Sequence, residues 1–142
     1  MKDRVLFRGK RIDGGGWTTG LLCDFSHEMG GNKLIAATIK CRPGDSREVD
    51  PETIGQCTGL RDKNGVLIFE GDILLLKMFD ILEDKHIEYH LLVEYSLRDG
   101  CWLGVYKGRT AKTHLGQGLV RDLELIGNVT DNPELLKAGD AE

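Results

Sequence analysis

Residues 55–73 read GQCTGLRDKNGVLIFEGDI and carry the strongest fold signal in the chain. Two short strand candidates, residues 58–61 and 66–69, flank the tetrapeptide DKNG at residues 62–65. Asn-Gly tolerates the positive φ angles of a type I′ turn, whose twist matches that of paired strands. The stretch therefore predicts a β-hairpin. The EGD sequence at residues 70–72 predicts a second tight corner before an apolar strand.

The apolar pattern on either side of this hairpin repeats every two residues. Between residues 86 and 95, Ile87, Tyr89, Leu91, Val93 and Tyr95 alternate with mostly polar neighbours, which predicts a half-buried strand. Residues 51 and 133 are prolines that follow Asp or Asn, which predicts one helical turn at each place. Further strands are predicted at residues 4–8, 17–23, 34–41, 73–79, 102–106 and 119–125. Many short strands joined by Gly-rich bends indicate a mainly β fold, a small barrel or sandwich.

Composition narrows the class of protein. The 142 residues fit one compact domain, or one domain plus an arm. A net charge of −4 disfavours a protein that coats DNA through bulk charge, although local basic patches stay possible. No apolar run approaches the ~20 residues that span a bilayer, and the N-terminus lacks the pattern of a signal peptide. We therefore expect a cytoplasmic protein with no membrane partner.

The four cysteines, Cys23, Cys41, Cys57 and Cys101, form no Cys-x-x-Cys pair, so a zinc site or redox dithiol is not expected. The sharpest candidate for a metal site is His86-x-Glu88-x-His90, because alternate residues of a strand share a face. The same alternation equally describes the solvated face of an amphipathic strand, which is the interpretation we favour. We predict no catalytic, cofactor or metal site, and hence no enzyme.

Two blocks of the sequence resemble a known family. Residues 55–73, together with residues 124–136, which read ELIGNVTDNPELL, are similar to the two signature motifs of the YopX family of phage and prophage proteins. Residues 7–10, FRGK, fit the N-terminal element of that family. The resemblance implies an SH3-like barrel, a phage or prophage origin, self-association, and no catalytic residues to carry over.

This resemblance also suggests an organisation of the chain. Residues 1–49 would form an N-terminal β segment, and residues 50–142 the SH3-type barrel with a short C-terminal helical turn and tail. The polar and glycine residues of the motifs sit where tight corners need them, so we assign them structural roles in turns. They are Gly59, Asn64, Gly65, Gly71, Asp72, Gly127 and Asn128.

Charge is divided unevenly and suggests two functions. Residues 1–47 hold nine basic and five acidic residues (+4), and residues 48–142 hold ten basic and eighteen acidic residues (−8). Head-to-tail contact between copies would pair these charges, so the favoured function is a non-enzymatic, homo-oligomerising module, with a further protein partner possible.

The alternative function is nucleic-acid binding. It would use a basic, Gly-containing loop at residues 107–121, with contacts from Lys107, Arg109, Lys112 and the nearby Trp102. The basic N-terminal residues Arg4, Arg8, Lys10 and Arg11, together with Trp17, offer a second surface of the same kind.

Overall fold

The structure is a computed structural model, and it describes residues 6–27, 34–42, 44–108 and 111–137. The fold is mainly β, with 59% of residues in strands and 9% helical, so the predicted fold class is confirmed. The SH3-like barrel stays a prediction. Residues 4 and 5 of the first predicted strand, including Arg4, lie outside the described residues, as do Arg109 and the tail at residues 138–142.

Short strands follow one another along the described chain, with two single 3₁₀ turns (Pro51–Thr53 and Pro133–Leu136) and one short helix, α1 (Gln117–Val120). The strands are β1 (Phe7–Lys10), β2 (Trp17–His27), β3 (Leu34–Arg42), β4 (Asp45–Val49), β5 (Gly55–Arg61), β6 (Leu67–Phe69), β7 (Asp72–Asp80), β8 (Lys85–Ser96), β9 (Cys101–Tyr106), β10 (Lys112–His114) and β11 (Leu123–Asn128).

The chain divides into two compact units, Met1–Cys57 and Thr58–Glu142. The division falls inside β5, whereas the sequence analysis placed a segment boundary at residues 49 and 50. In the first unit, β1 to β4 pair antiparallel in the order β4-β3-β2-β1, and the start of β5 pairs with β1. Its core consists of Ala37, Ile39 and Val49, with Phe7 and Leu22 packed against them.

The second unit contains a five-stranded antiparallel sheet in the order β10-β9-β8-β7-β11. The alternation at residues 86–95 places Leu91 and Val93 in its core, as expected for a strand with one buried face. Ile68 and Leu74 are also fully buried there. The buried cluster is Ile68, Leu74, Leu76, Leu91, Val93, Leu115, Val120 and Leu123.

The predicted hairpin at residues 58–69 is present as β5 and β6, but its turn differs from the predicted type I′. The amide of Gly65 donates to the carbonyl of Asp62 at 3.0 Å, and the amide of Asp62 donates to the carbonyl of Val66 at 2.9 Å. Gly65 has a φ of 83°, whereas Asn64 does not share the positive φ that type I′ needs, since Asp84 is the sole non-glycine with one among the described residues. The turn is therefore type I, closed by a left-handed glycine.

The side chain of Asp62 explains this choice of turn. Its Oδ1 accepts hydrogen bonds from the amides of Asn64 and Val66, each at 2.9 Å, which stabilises an Asx turn. Its Oδ2 accepts from the amide of Leu125 in β11 at 2.9 Å. Burial opposes ionisation of this carboxyl, but the three amide donors and the charge of Lys63 outweigh burial and lower its pKa. Asp62 thus ties the hairpin turn to a strand that lies 63 residues further along the chain.

The corner at residues 70–72 ties three strands of the second unit together. Gly71 has a φ of 88°, which residues with a Cβ rarely adopt. Its amide donates to the carbonyl of Val93 at 2.9 Å, and its carbonyl accepts from the amide of Val129 at 2.8 Å. Asp72 is buried, and its Oδ2 accepts from the amide of Phe69 at 2.7 Å.

The second motif forms a turn network around Asn128. Its Oδ1 accepts from the amides of Thr130 and Asp131, at 3.0 and 2.8 Å. Asn132 was expected to cap the turn at residues 133–136, but its side chain makes no capping bond there. Instead its Oδ1 accepts from the amide of Asn128 at 3.2 Å, because Gly127 leaves room for that oxygen.

Replacing Gly127 with alanine is expected to lower the free energy of unfolding by about 1–2 kcal/mol, because the partly buried amide of Asn128 loses its hydrogen-bond partner. A Cβ at this position would lie 2.5 Å from Oδ1 of Asn132, so that side chain must move away. Gly116→Ala is the matched control, because a Cβ there meets no atom within 4 Å. Urea unfolding of both variants measures the difference, and equal midpoints would contradict the role given to Gly127.

The segment predicted as a basic loop, residues 107–121, contains regular structure. It includes the edge strand β10 and the helix α1, and the strand predicted at residues 119–125 begins only at Leu123. The prediction was wrong because Leu115 and Val120, which lie in a stretch composed mostly of glycines and polar residues, are buried in the core. Tertiary packing of two side chains orders a segment whose local sequence favours a loop.

Candidate interaction surface

The hairpin of β7 and β8 is longer than the strands beside it. β7 and β8 pair from Ile73–Leu92 to Asp80–Lys85, whereas β11 pairs with β7 no further than Leu76. On the other side, β9 pairs with β8 only from Leu91 onwards. Residues 77–88, which we call the hairpin arm, therefore form a two-stranded ribbon. Within the described part of the chain, no third strand pairs with either edge of this ribbon.

The turn at the end of the arm is well defined. Oδ1 of Asp80 accepts from the amides of Leu82 and Glu83, at 2.9 and 3.3 Å. Asp84 has a φ of 51°, in the left-handed region that Asp tolerates better than most residues. Nζ of Lys85 lies 2.7 Å from the carboxylate of Glu83. Local hydrogen bonds thus hold this turn, and its apolar side chains are not needed for it.

Those apolar side chains point into solvent. Ile81 and Leu82 are 83% and 96% exposed, and Met78 and Phe79 are 52% and 50% exposed. Met78 is opposite the half-buried Ile87, on the face that continues the core. Phe79 is on the other face, with its ring edge-on to that of His86 at 5.0 Å. Exposed apolar groups so close together mark interaction sites on soluble proteins.

Charges on the arm are paired across the ribbon. Lys77 is opposite Glu88, and Asp80 is opposite Lys85, so each pair joins opposite signs. Two basic and four acidic residues within residues 77–88 give the arm a net charge of −2. The arm therefore combines apolar groups at its end with two cross-strand charge pairs and a net negative charge.

The proposed nucleic-acid contacts on the second unit do not form one surface. Trp102 is opposite Tyr95, on the face of the sheet that packs against the core. Lys112 is opposite Val105, one residue out of phase with that face, so it lies on the other side of the sheet. Lys107 follows β9, and its amide donates to the carbonyl of His90 at 2.9 Å. Arg109 lies outside the described residues.

The candidate metal ligands on β8 have separate surroundings. His86 contacts Phe79, and Glu88 is opposite Lys77. Nδ1 of His90 is 2.8 Å from the carbonyl of Leu135, in the second 3₁₀ turn. Among the described residues, no three His, Cys, Asp or Glu side chains are grouped closely enough to hold a metal ion.

The sequence contained a signal for the arm that the strand predictions passed over. Ile81 and Leu82 lie inside the acidic segment DILED, residues 80–84, where a turn with no partner would carry polar side chains. Two large apolar residues at the tip of a polar turn point to a contact outside the described fold. Strand pairing alone then shows that this tip extends past its neighbours.

The fold and the arm define a mainly β protein with a long hairpin that carries exposed apolar residues at its end. Comparison with known proteins is consistent with the two sequence motifs: the model of the family described as "YopX protein" matches residues 7–137. The chain therefore belongs to the YopX family. No curated protein matches the chain.

A solved structure, protein EF1440 from Enterococcus faecalis, is 23% identical, and the match covers 93% of this chain and 96% of that one, with a TM-score of 0.49. Within the described residues, the helices are all too short or too polar to cross a membrane.

Proposed function

We propose that this YopX-family protein is a non-enzymatic accessory protein of a phage or prophage, acting in the cytoplasm of a bacterial host through self-association. The observation that carries the proposal is the hairpin arm, with its four exposed apolar side chains. The arm is the contact surface in this proposal, and a second copy of the chain is its partner.

The energetics of the arm support association. A two-stranded ribbon standing alone is at best marginally stable in water, and three or more strands are needed for independent stability. Burying a side chain such as Ile or Leu contributes roughly 1.5–3 kcal/mol. Since Ile81 and Leu82 are 83% and 96% exposed, almost all of this contribution is unused in the isolated chain. A contact that covers the arm would add both neighbouring strands and apolar burial.

The outer edge of β8 supports a second copy as the partner. Two copies of this edge can pair antiparallel across a two-fold axis at Ile87, which places Ile87 opposite itself. In the same register, His86 of each copy is opposite Glu88 of the other, so this pair occurs twice. This edge is therefore self-complementary in its pairing of apolar with apolar and polar with polar residues, as a two-fold contact requires. The arm therefore favours a two-fold contact over the head-to-tail contact that the division of charge suggests.

Sedimentation velocity of the purified chain over a range of concentrations tests this proposal. We expect a discrete dimer or a higher even-numbered oligomer that dissociates on dilution and persists in 0.5 M NaCl, because apolar burial is less sensitive to salt than surface charge pairs are. A monomer at all concentrations would contradict the proposal. So would an oligomer that salt dissociates completely, because it would be held by charge.

A further inference from the structure

The sheet of the first unit has one buried and one open face. Gly9 and Thr18 are opposite each other and buried, on the side that packs against the core of Ala37, Ile39 and Val49. The neighbouring residues on each strand must point to the other side. This open face belongs to the first unit, whereas the hairpin arm belongs to the second.

The open face carries a group of cationic and aromatic side chains. Lys10 is opposite Trp17, and Arg8 is opposite Thr19, so these four residues share one face of β1 and β2. The guanidinium carbon of Arg8 lies 4.8 Å from the centroid of the Trp17 ring. Arg8, Lys10 and Trp17 are each partly exposed. The face thus presents a stacked Arg–Trp pair with a lysine beside it.

The same face continues onto β3. Leu21 is opposite Lys40, and both side chains are exposed, Leu21 to 52%. Trp17 and Leu21 are four residues apart on one strand, which separates them by roughly 13 Å at the usual rise of a strand. Cationic groups therefore flank an aromatic and aliphatic strip on both sides. Glu48 on β4 is opposite Thr38, so a carboxylate also lies on this side of the sheet.

We propose that this open face, with Arg8, Lys10, Trp17 and Lys40 as its contact residues, binds a short stretch of single-stranded nucleic acid. Bases stack on aromatic rings and on arginine planes, and lysines at the border neutralise phosphates. Both elements are present here on one face, in contrast to Trp102 and Lys112, which lie on opposite faces of their sheet. An acidic protein segment would engage the lysines and leave the Arg–Trp stack without a function, so the nucleic acid is favoured.

Fluorescence anisotropy of labelled dT12 with the full chain in 50 mM NaCl tests the proposal. We expect binding with a Kd of roughly 10 µM at this salt concentration, and an affinity that falls steeply as salt is added. Trp17→Leu keeps an apolar cover over the sheet but removes the ring, and is expected to weaken binding about tenfold, the loss of one stacked base. Lys10→Glu/Lys40→Glu is expected to reduce the magnitude of the slope of log affinity against log salt concentration by about 1.4, which corresponds to two phosphate contacts on a single strand.

Arg98→Glu/Lys137→Glu is the matched control, because it makes the same change of charge with two exposed cationic residues of the second unit that are not predicted nucleic-acid contacts. Urea unfolding verifies that every variant is folded. Retained binding in the control, with loss in the two variants of the open face, supports the site. Flat anisotropy for the wild type would overturn the proposal, as would equal losses in the control. Dissociation of a protein oligomer by Lys10→Glu/Lys40→Glu, with no binding of dT12, would assign the face to protein contacts and likewise overturn it.

Discussion

Asp62→Ala is expected to lower the free energy of unfolding by about 4 kcal/mol, a large part of the stability of a chain this size. The carboxylate accepts three backbone hydrogen bonds, from Asn64, Val66 and Leu125. Asp62 is 6% exposed and its three hydrogen bonds are partly buried, so removing the carboxylate costs about one charge-assisted hydrogen bond for each amide. Both the turn of the β5–β6 hairpin and the position of β11 depend on this side chain.

Asp62→Asn and Asp122→Ala complete the series. Asparagine keeps one oxygen acceptor, so Asp62→Asn should lower the free energy of unfolding by about 2 kcal/mol, roughly half the effect of Asp62→Ala. Asp122 is exposed, and its replacement is expected to change stability by less than about 0.5 kcal/mol. Urea unfolding followed by circular dichroism measures all three. A loss below about 1 kcal/mol for Asp62→Ala would contradict the structural role given to this carboxylate.

The same carboxylate makes stability depend on pH. Its pKa in the folded chain is lowered from the ordinary value of 3.8. Ionisation of Asp62 therefore contributes stability in full above about pH 5, and this contribution is lost as the pH falls through 3.8 towards the folded pKa. The difference in stability between the wild type and Asp62→Asn should be constant above this range and shrink below it. A stability difference between the two proteins that grows on acidification would mean that the pKa of Asp62 is raised on folding, which would contradict this interpretation.

The second large effect is expected at the end of the hairpin arm. Ile81→Ser/Leu82→Ser removes two apolar side chains without a change of charge, and should weaken self-association at least a hundredfold, which corresponds to about 3 kcal/mol of lost apolar burial. Both side chains are almost fully exposed, so the monomer should unfold at the same urea concentration as the wild type. Sedimentation velocity gives the dissociation constant of each variant.

Leu97→Ser is the control for this effect. Leu97 is 91% exposed in the turn between β8 and β9, so it matches Leu82 in residue type and exposure but lies outside the arm. It is expected to leave the association unchanged. Equal weakening by Leu97→Ser would mean that general surface hydrophobicity drives association. No weakening by the double variant would remove the arm from the interface.

Much of the fold could be predicted from local sequence. The strand at residues 86–95 and the hairpin at residues 58–69 follow from two-residue alternation and from turn residues, because each signal acts over a few positions. The turn type could not be predicted in this way. The Asn-Gly pair signals type I′, whereas Oδ1 of Asp62 accepts from the amides of Asn64 and Val66 and thereby stabilises type I. Likewise, β10 and α1 are ordered by the burial of Leu115 and Val120, which periodicity does not reveal.

Less could be predicted about the candidate sites, because they depend on strand register. Trp102 and Lys112 are ten residues apart in the sequence and lie on adjacent strands, but the pairing of β9 with β10 places them on opposite faces of the sheet. Register equally brings Lys10 opposite Trp17, two residues separated by a turn. The arm emerges only when the lengths of β7 and β8 are compared with those of their neighbours. The DILED segment at residues 80–84 hints at the exposed tip of the arm, but composition and motifs contain no information on register or on how far the arm extends.

Hydrogen–deuterium exchange, measured below and above the concentration at which the chain associates, tests the central claim most directly. We predict that backbone amides on the outer edge of β8, between residues 85 and 88, become protected when the oligomer forms. The outer edges of β4, β10 and β11 should exchange at the same rate in both states, because they are not part of the contact. Protection at one of those edges, with exchange in the arm unchanged, would contradict association through the hairpin arm.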